Sequence, residues 1–222
     1  ALTVLMGIGV DPPTYVPPPA ATAAIHDAHL VLANGAGLEV NLEEMLENAG
    51  GKAIHVSVSH GIEFRPSPEG HSHEHEGEQA EHGEAEGERG HDHGDVDPHV
   101  WFSVPNVIHW VENIEHALSA LDPSNAQAFE ENAQGYIHEL GELDAWLQDQ
   151  IAPIPESNRR LVTNHPAFGY FAERYGLEQV GAVYPVSPSA EPSAQDIAAL
   201  EDAIREHGVP AVFAESTVNP SL

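Results

Sequence analysis

The chain contains no cysteine, a single lysine (Lys52) and no long apolar run, and each shortage removes a class of explanation. Without cysteine there is no disulfide framework, no thiolate metal site and no lipid-bearing sulfur in this stretch, so any transition metal held here has only nitrogen and oxygen ligands. A spanning helix needs roughly 20 consecutive apolar residues, and none occurs. The chain does not open on the charged and then apolar pattern of a signal peptide. Basic residues are scarce too: Lys and Arg number 7 against 36 Asp and Glu, a formal charge of −29. Such a surface repels a phosphate backbone or an anionic membrane and attracts cations, which excludes nucleic acid as a partner. The 222 residues, 41% of them hydrophobic, suffice for one large or two modest packed domains.

What the chain has in excess is histidine beside carboxylate. Residues 70–94 carry His71, His73, His75, His82, His91 and His93 among Glu, Asp and Gly. Acidic Gly/Glu runs without histidine are solvated linkers. Alternating imidazole with carboxylate adds zinc-compatible ligands, so residues 66–96 read as a disordered acidic loop that collects divalent cations in loose geometries.

Elsewhere strands and helices alternate. Residues 2–8 read as a buried strand, and five prolines between positions 12 and 19 impose an irregular loop. A short helix is expected over 20–28, a strand over 29–33, a helix over 39–48 closed by Gly50 and Gly51, and a strand over 53–58. Apolar residues at helical spacing predict a helix over 104–121. Asp122-Pro123 then reads as N-cap and first turn of a second helix reaching about Ile151. Its Tyr136, Leu140, Leu143, Ala145, Trp146 and Leu147 are expected mostly in core or inter-lobe contacts. Strands over 161–163, 180–184 and 211–214 and helices over 167–175 and 194–207 complete the pattern. Short strands separated by helices imply βαβ units and mostly parallel sheets, an α/β fold. Both chain ends look cut.

Two histidines stand where an open α/β sheet binds ligands, outside the carboxyl ends of strands. His99 follows Asp97-Pro98, and His165 follows the strand 161–163 and precedes Pro166. Each adjoins a proline at a turn into a helix, which fixes the backbone at an element edge. His26, His109, His116, His138 and His207 read instead as hydrogen-bonded surface residues. His60, ending the strand 53–58, is a candidate third ligand.

Several ordered motifs carry a resemblance. Asp11-Pro12-Pro13-Thr14-Tyr15, Asn34-Gly35-Ala36-Gly37-Leu38-Glu39, the acidic histidine tract, Asp97-Pro98-His99-Val100-Trp101, Asp122-Pro123-Ser124-Asn125 and His165-Pro166-Ala167-Phe168-Gly169-Tyr170 occur in the order found in zinc- and manganese-binding solute-binding proteins of metal ABC transporters. The chain resembles the zinc branch of that family along its whole length. The resemblance implies two α/β lobes joined by one long rigid helix, with the metal in the cleft between them. Residues 1–121 would form the first lobe, 122–152 the linking helix and 153–222 an incomplete second lobe. It implies His99 and His165 as ligands of Zn2+, or of Mn2+ in a manganese homologue, where the second position is often Glu. Imidazole there favours zinc.

Two departures stand out. Pro13 occupies a position where the family usually places a ligand histidine, and the family's C-terminal Asp ligand would lie beyond Leu222. Glu215 matches a cleft-side position and can serve metal or a structural ion pair. The resemblance further implies an extracytoplasmic monomer that hands its ion to a membrane ABC permease and is not an enzyme. A metal-dependent hydrolase is the competing class, but no His-Glu-x-x-His motif and no catalytic triad constellation occurs. A soluble zinc buffer or metallochaperone acting through the tract alone is the other alternative.

Overall fold

The computed structural model describes residues 1–7, 9–10, 12, 15–39, 42, 45, 51–67, 96–183 and 193–213. The expected helix over 39–48 falls largely outside them, as do Pro13, Glu215 and all six tract histidines.

In the first half, helix α1 (Pro19–Asp27) starts with proline in its first turn, where a missing N–H costs nothing. Strands β1 (Leu30–Ala33) and β2 (Ile54–Ser57) pair in parallel, with Leu30 opposite Ile54 and Ala33 opposite Ser57. Ile25, Val31 and Leu42 form the core beneath them, with Leu5, Met45 and Ala53 packed against it. The expected strand over 2–8 does not form among the described residues. Leu2 and Val4 are 90% and 74% exposed, and only Leu5 reaches the core. An apolar run becomes a strand only where a ladder receives its backbone, and among the described residues the order is β1-β2 with no further strand.

Two helices follow. Helix α2 (Val104–Leu121) has the predicted bounds. Asp122 then directs its carboxylate to the Ser124 hydroxyl and the Asn125 amide, each at 2.6 Å, closing a 3-10 turn over Pro123–Asn125. The α-helix α3 (Ala126–Ile151) therefore begins three residues later than Pro123 suggests. At 1.5 Å per residue it is about 39 Å long. Ala133, Leu140 and Ile151 are its buried residues, and Val104, Leu140, Ile151 and Tyr175 make a second core with Val107, Val111 and Leu147 packed on it. Tyr136, Leu143 and Trp146 are instead 50%, 43% and 56% exposed, contrary to expectation. At 100° per residue they lie about 40–120° around the helix from Leu140, off the buried stripe.

The second half starts with β3 (Arg160–Thr163), helix α4 (Gly169–Tyr175) and β4 (Glu178–Ala182), a parallel pair with a register shift between Leu161 and Val162. Helix α5 (Ala194–His207) follows, again with the predicted bounds. Among the described residues the expected last strand is represented by a parallel bridge of Val212 to Val162. Leu161, Val162 and Thr163 are all buried, as a strand covered on both faces should be.

Candidate metal centre

Strand β3 ends at Thr163, and the chain turns sharply behind it. Thr163 Oγ1 donates to the His165 carbonyl at 2.7 Å, the Ala167 N–H donates to the same oxygen at 2.8 Å, and Gln179 Nε2 donates to Thr163 Oγ1 at 2.7 Å. These bonds set the backbone that carries the His165 ring.

His99 is held from its other end. Asp97 is 2% exposed, and its Oδ1 accepts the His99 N–H at 3.0 Å and lies 2.7 Å from His99 Nδ1. A carboxylate against Nδ1 keeps the proton there and leaves the Nε2 lone pair directed outward, the arrangement that prepares an imidazole for a metal. Asn34 Nδ2 donates to the Pro98 carbonyl at 3.1 Å, and the wholly buried Val100 anchors the turn that follows.

Asn34 is itself fixed by a tight turn. Its N–H and that of Gly35 donate to the two Glu39 carboxylate oxygens at 2.7 and 3.0 Å, while Gly35 takes a φ of +79°. A Cβ on Gly35 would overlap Ser57 Oγ, so this turn admits no side chain.

The two histidines meet. Nε2 of His99 lies 3.3 Å from Nε2 of His165, and the ring centroids are 5.1 Å apart with planes inclined at 59°. Two nitrogens bound to one zinc at 2.0–2.1 Å and at the tetrahedral angle stand about 3.3–3.4 Å apart, whereas a right angle would bring them to about 2.8–3.0 Å. Rings meeting head-on at this nitrogen separation would hold their centroids about 5.6 Å apart, against about 5.2 Å for rings bent toward one tetrahedral centre. Both distances fit the bent arrangement. The pair can supply half of a tetrahedral shell.

Aromatic contacts frame it. Trp101 meets His99 edge-on at 5.3 Å, and Phe102 lies against Phe168 at 4.3 Å, joining the turn after His99 to the turn after His165. His60 is placed otherwise: it is exposed, and its carbonyl accepts from His109 Nε2 at 2.8 Å and Asn113 Nδ2 at 2.9 Å. Among the described residues no group of three or more His, Asp or Glu is arranged to hold a metal. His99 and His165 stand out in the sequence, whereas the work of Asp97 and Asn34 does not. The Asp two residues before His99 was the available signal for the first.

The family model described as "ZnuA: Zinc-uptake complex component A periplasmic" matches residues 1–222. The manganese-binding lipoprotein MntA of Halalkalibacterium halodurans is 33% identical over 222 residues, covering 100% of this chain and 66% of that protein. The zinc-binding protein TroA of Treponema pallidum is 33% identical over 214 residues, covering 96% and 62%. The chain thus spans just under two thirds of these relatives. The solved structure of TroA aligns with a TM-score of 0.77 at 32% identity over 97% of this chain and 70% of that one. A crystal structure of ZnuA aligns with a TM-score of 0.79 at 27% identity over 98% and 74%. These neighbours bear out the α/β class read from the sequence.

Proposed function

We propose, given that the chain belongs to the family of periplasmic zinc-uptake components, that it captures a divalent metal ion between His99 and His165 outside the cytoplasm and passes it to a membrane ABC permease, without catalysis. The observation that carries this reading is the 3.3 Å separation of the two Nε2 atoms, one of them on a ring oriented by a buried carboxylate. In this reading residues 1–121 and 153–222 act as lobes about the helix of 122–152, in a monomer, and the ion sits where they meet. The remaining ligand positions go to water and to groups outside the described residues, Glu215 among them.

Zinc is the favoured cargo, because two imidazoles suit zinc better than manganese. Likeness to a relative named for manganese supports a second reading, a manganese-binding homologue. In this reading the permease is a separate partner; among the described residues no helix is long and apolar enough to cross a membrane.

Competition against a chromogenic chelator tests the proposal. His99→Ala and His165→Ala should each weaken the tightest zinc equivalent by about 100-fold or more, roughly 2.8 kcal/mol. Parent affinity in both variants would refute the site. Manganese displacing zinc from the parent protein would select the second reading.

A further inference from the structure

We propose that Tyr170 is a positioning residue of this centre, whose one buried hydroxyl ties the loop carrying His99 to the helix behind His165 and thereby sets the separation of the two imidazoles. The inference rests on the reading of His99 and His165 as joint ligands.

Tyr170 is 5% exposed, and its hydroxyl has a partner on each side. It accepts the Arg65 N–H at 2.9 Å and donates to the Asp97 carbonyl at 2.8 Å. Those two residues are themselves paired, since the Asp97 N–H donates to the Arg65 carbonyl at 2.8 Å and Pro66 bridges Val96 next to them. The hydroxyl therefore grips both stems of the chain where it leaves for, and returns from, the acidic tract. Asp97 passes that grip to His99 through Oδ1. On the other side Tyr170 belongs to α4, which starts four residues after His165. A closed circuit results: His99, Asp97, Tyr170, α4, His165, and back across 3.3 Å to His99.

Gly169 shows how close that approach is. A Cβ there would stand 2.9 Å from Arg65 Nε and 3.1 Å from Asp97 Oδ2, so a side chain at this position displaces the Arg65 guanidinium and presses on the carboxylate that orients His99. The Arg65 guanidinium lies 5.8 Å from the centre of the Tyr170 ring, closing the same contact from outside. A hydroxyl placed only to stabilise the fold would not have to meet the backbone of the residue that orients a ligand.

The test uses the full chain with Tyr170→Phe, which removes only the oxygen, and Gly169→Ala, which keeps the oxygen and wedges the contact at a helical position where alanine is well tolerated. Zinc affinity by chelator competition and the visible absorption of bound cobalt(II), whose intensity reports tetrahedral geometry, are measured beside melting of the metal-free proteins. Both variants should bind the tightest zinc about tenfold or more weakly and alter the cobalt spectrum. A folded variant with parent affinity and parent spectrum overturns the inference. If Tyr170→Phe fails to fold, Gly169→Ala decides by the same two readouts. His99→Ala runs in parallel: parent affinity there brings down the metal reading and this inference with it. Loss in His99→Ala with none in Tyr170→Phe and Gly169→Ala brings down this inference alone.

Discussion

Asp97 places a full carboxylate, 2% exposed, against one imidazole nitrogen, and that contact decides which nitrogen of His99 faces the second ring. Asp97→Asn keeps the size but can present a donor to Nδ1, which selects the wrong tautomer; zinc affinity should fall by about 10–100-fold with the fold retained, as chelator competition would show. Unchanged affinity would mean that the carboxylate does not orient the ring. Residues flanked by proline at element edges were legible in the sequence, which is why His99 and His165 could be named. The partners of Asp97 were not, because Tyr170 lies 73 residues away and reaches it only through the packing of α4. For His60 the place just past β2 was readable, but its exposure and the use of its carbonyl by His109 and Asn113 depend on where α2 lies.

Between elements, α3 and α4 are latched by one carboxylate. Asp144 accepts from Arg174 Nε at 3.1 Å, from the Tyr175 hydroxyl at 2.9 Å and from Gln148 Nε2 at 2.7 Å. The Arg174 hydrogen bond, ahead of the others, holds the Asp144 carboxyl below its ordinary 3.8. A lowered folded value adds stability at pH above 3.8 that is lost as pH falls through that lower value. Burial, ahead of its bond to Asp144, pushes the Tyr175 phenol from 10.0 up to about 12. A raised value works in the opposite sense: its contribution is complete below pH 10.0 and lost as pH rises through about 12. Arg174 is 38% exposed, so solvent discounts the pair, and Asp144→Asn should cost about 1–2 kcal/mol near neutral pH. Urea denaturation should show that difference constant near neutrality and shrinking below pH 3.8; a difference that grows in acid would contradict it. Helical periodicity made α2 and α5 legible to the residue, because their apolar stripes repeat over several turns. The strand expected at residues 2–8 failed since a strand is defined by its neighbour, and sequence shows only one side of that pairing.

Across the whole molecule, the contacts of His99 with His165, Phe102 with Phe168 and Tyr170 with Arg65 and Asp97 all join the first half of the chain to the second. The bridge of Pro66 to Val96 and the Asp97 N–H to Arg65 carbonyl bond close the base of the acidic tract beside the Tyr170 contacts, with no tract residue taking part. Deleting residues 70–94 should therefore remove weak zinc equivalents in a calorimetric titration and leave the tightest one nearly unchanged. Ordering each tract residue around a metal costs about 1–2 kcal/mol of backbone entropy, which keeps such sites shallow. Loss of all zinc binding on that deletion would favour a buffer acting through the tract alone. The most direct test of the central claim, that one ion is shared by two histidines from opposite halves of the chain, is a double-mutant cycle. Zinc affinity is measured for the parent, His99→Ala, His165→Ala and the double variant. Joint ligation predicts that each single change weakens the tightest equivalent by about 100-fold or more, while the double change costs far less than the sum of the two. Fully additive losses, or a single variant that binds like the parent, would contradict it.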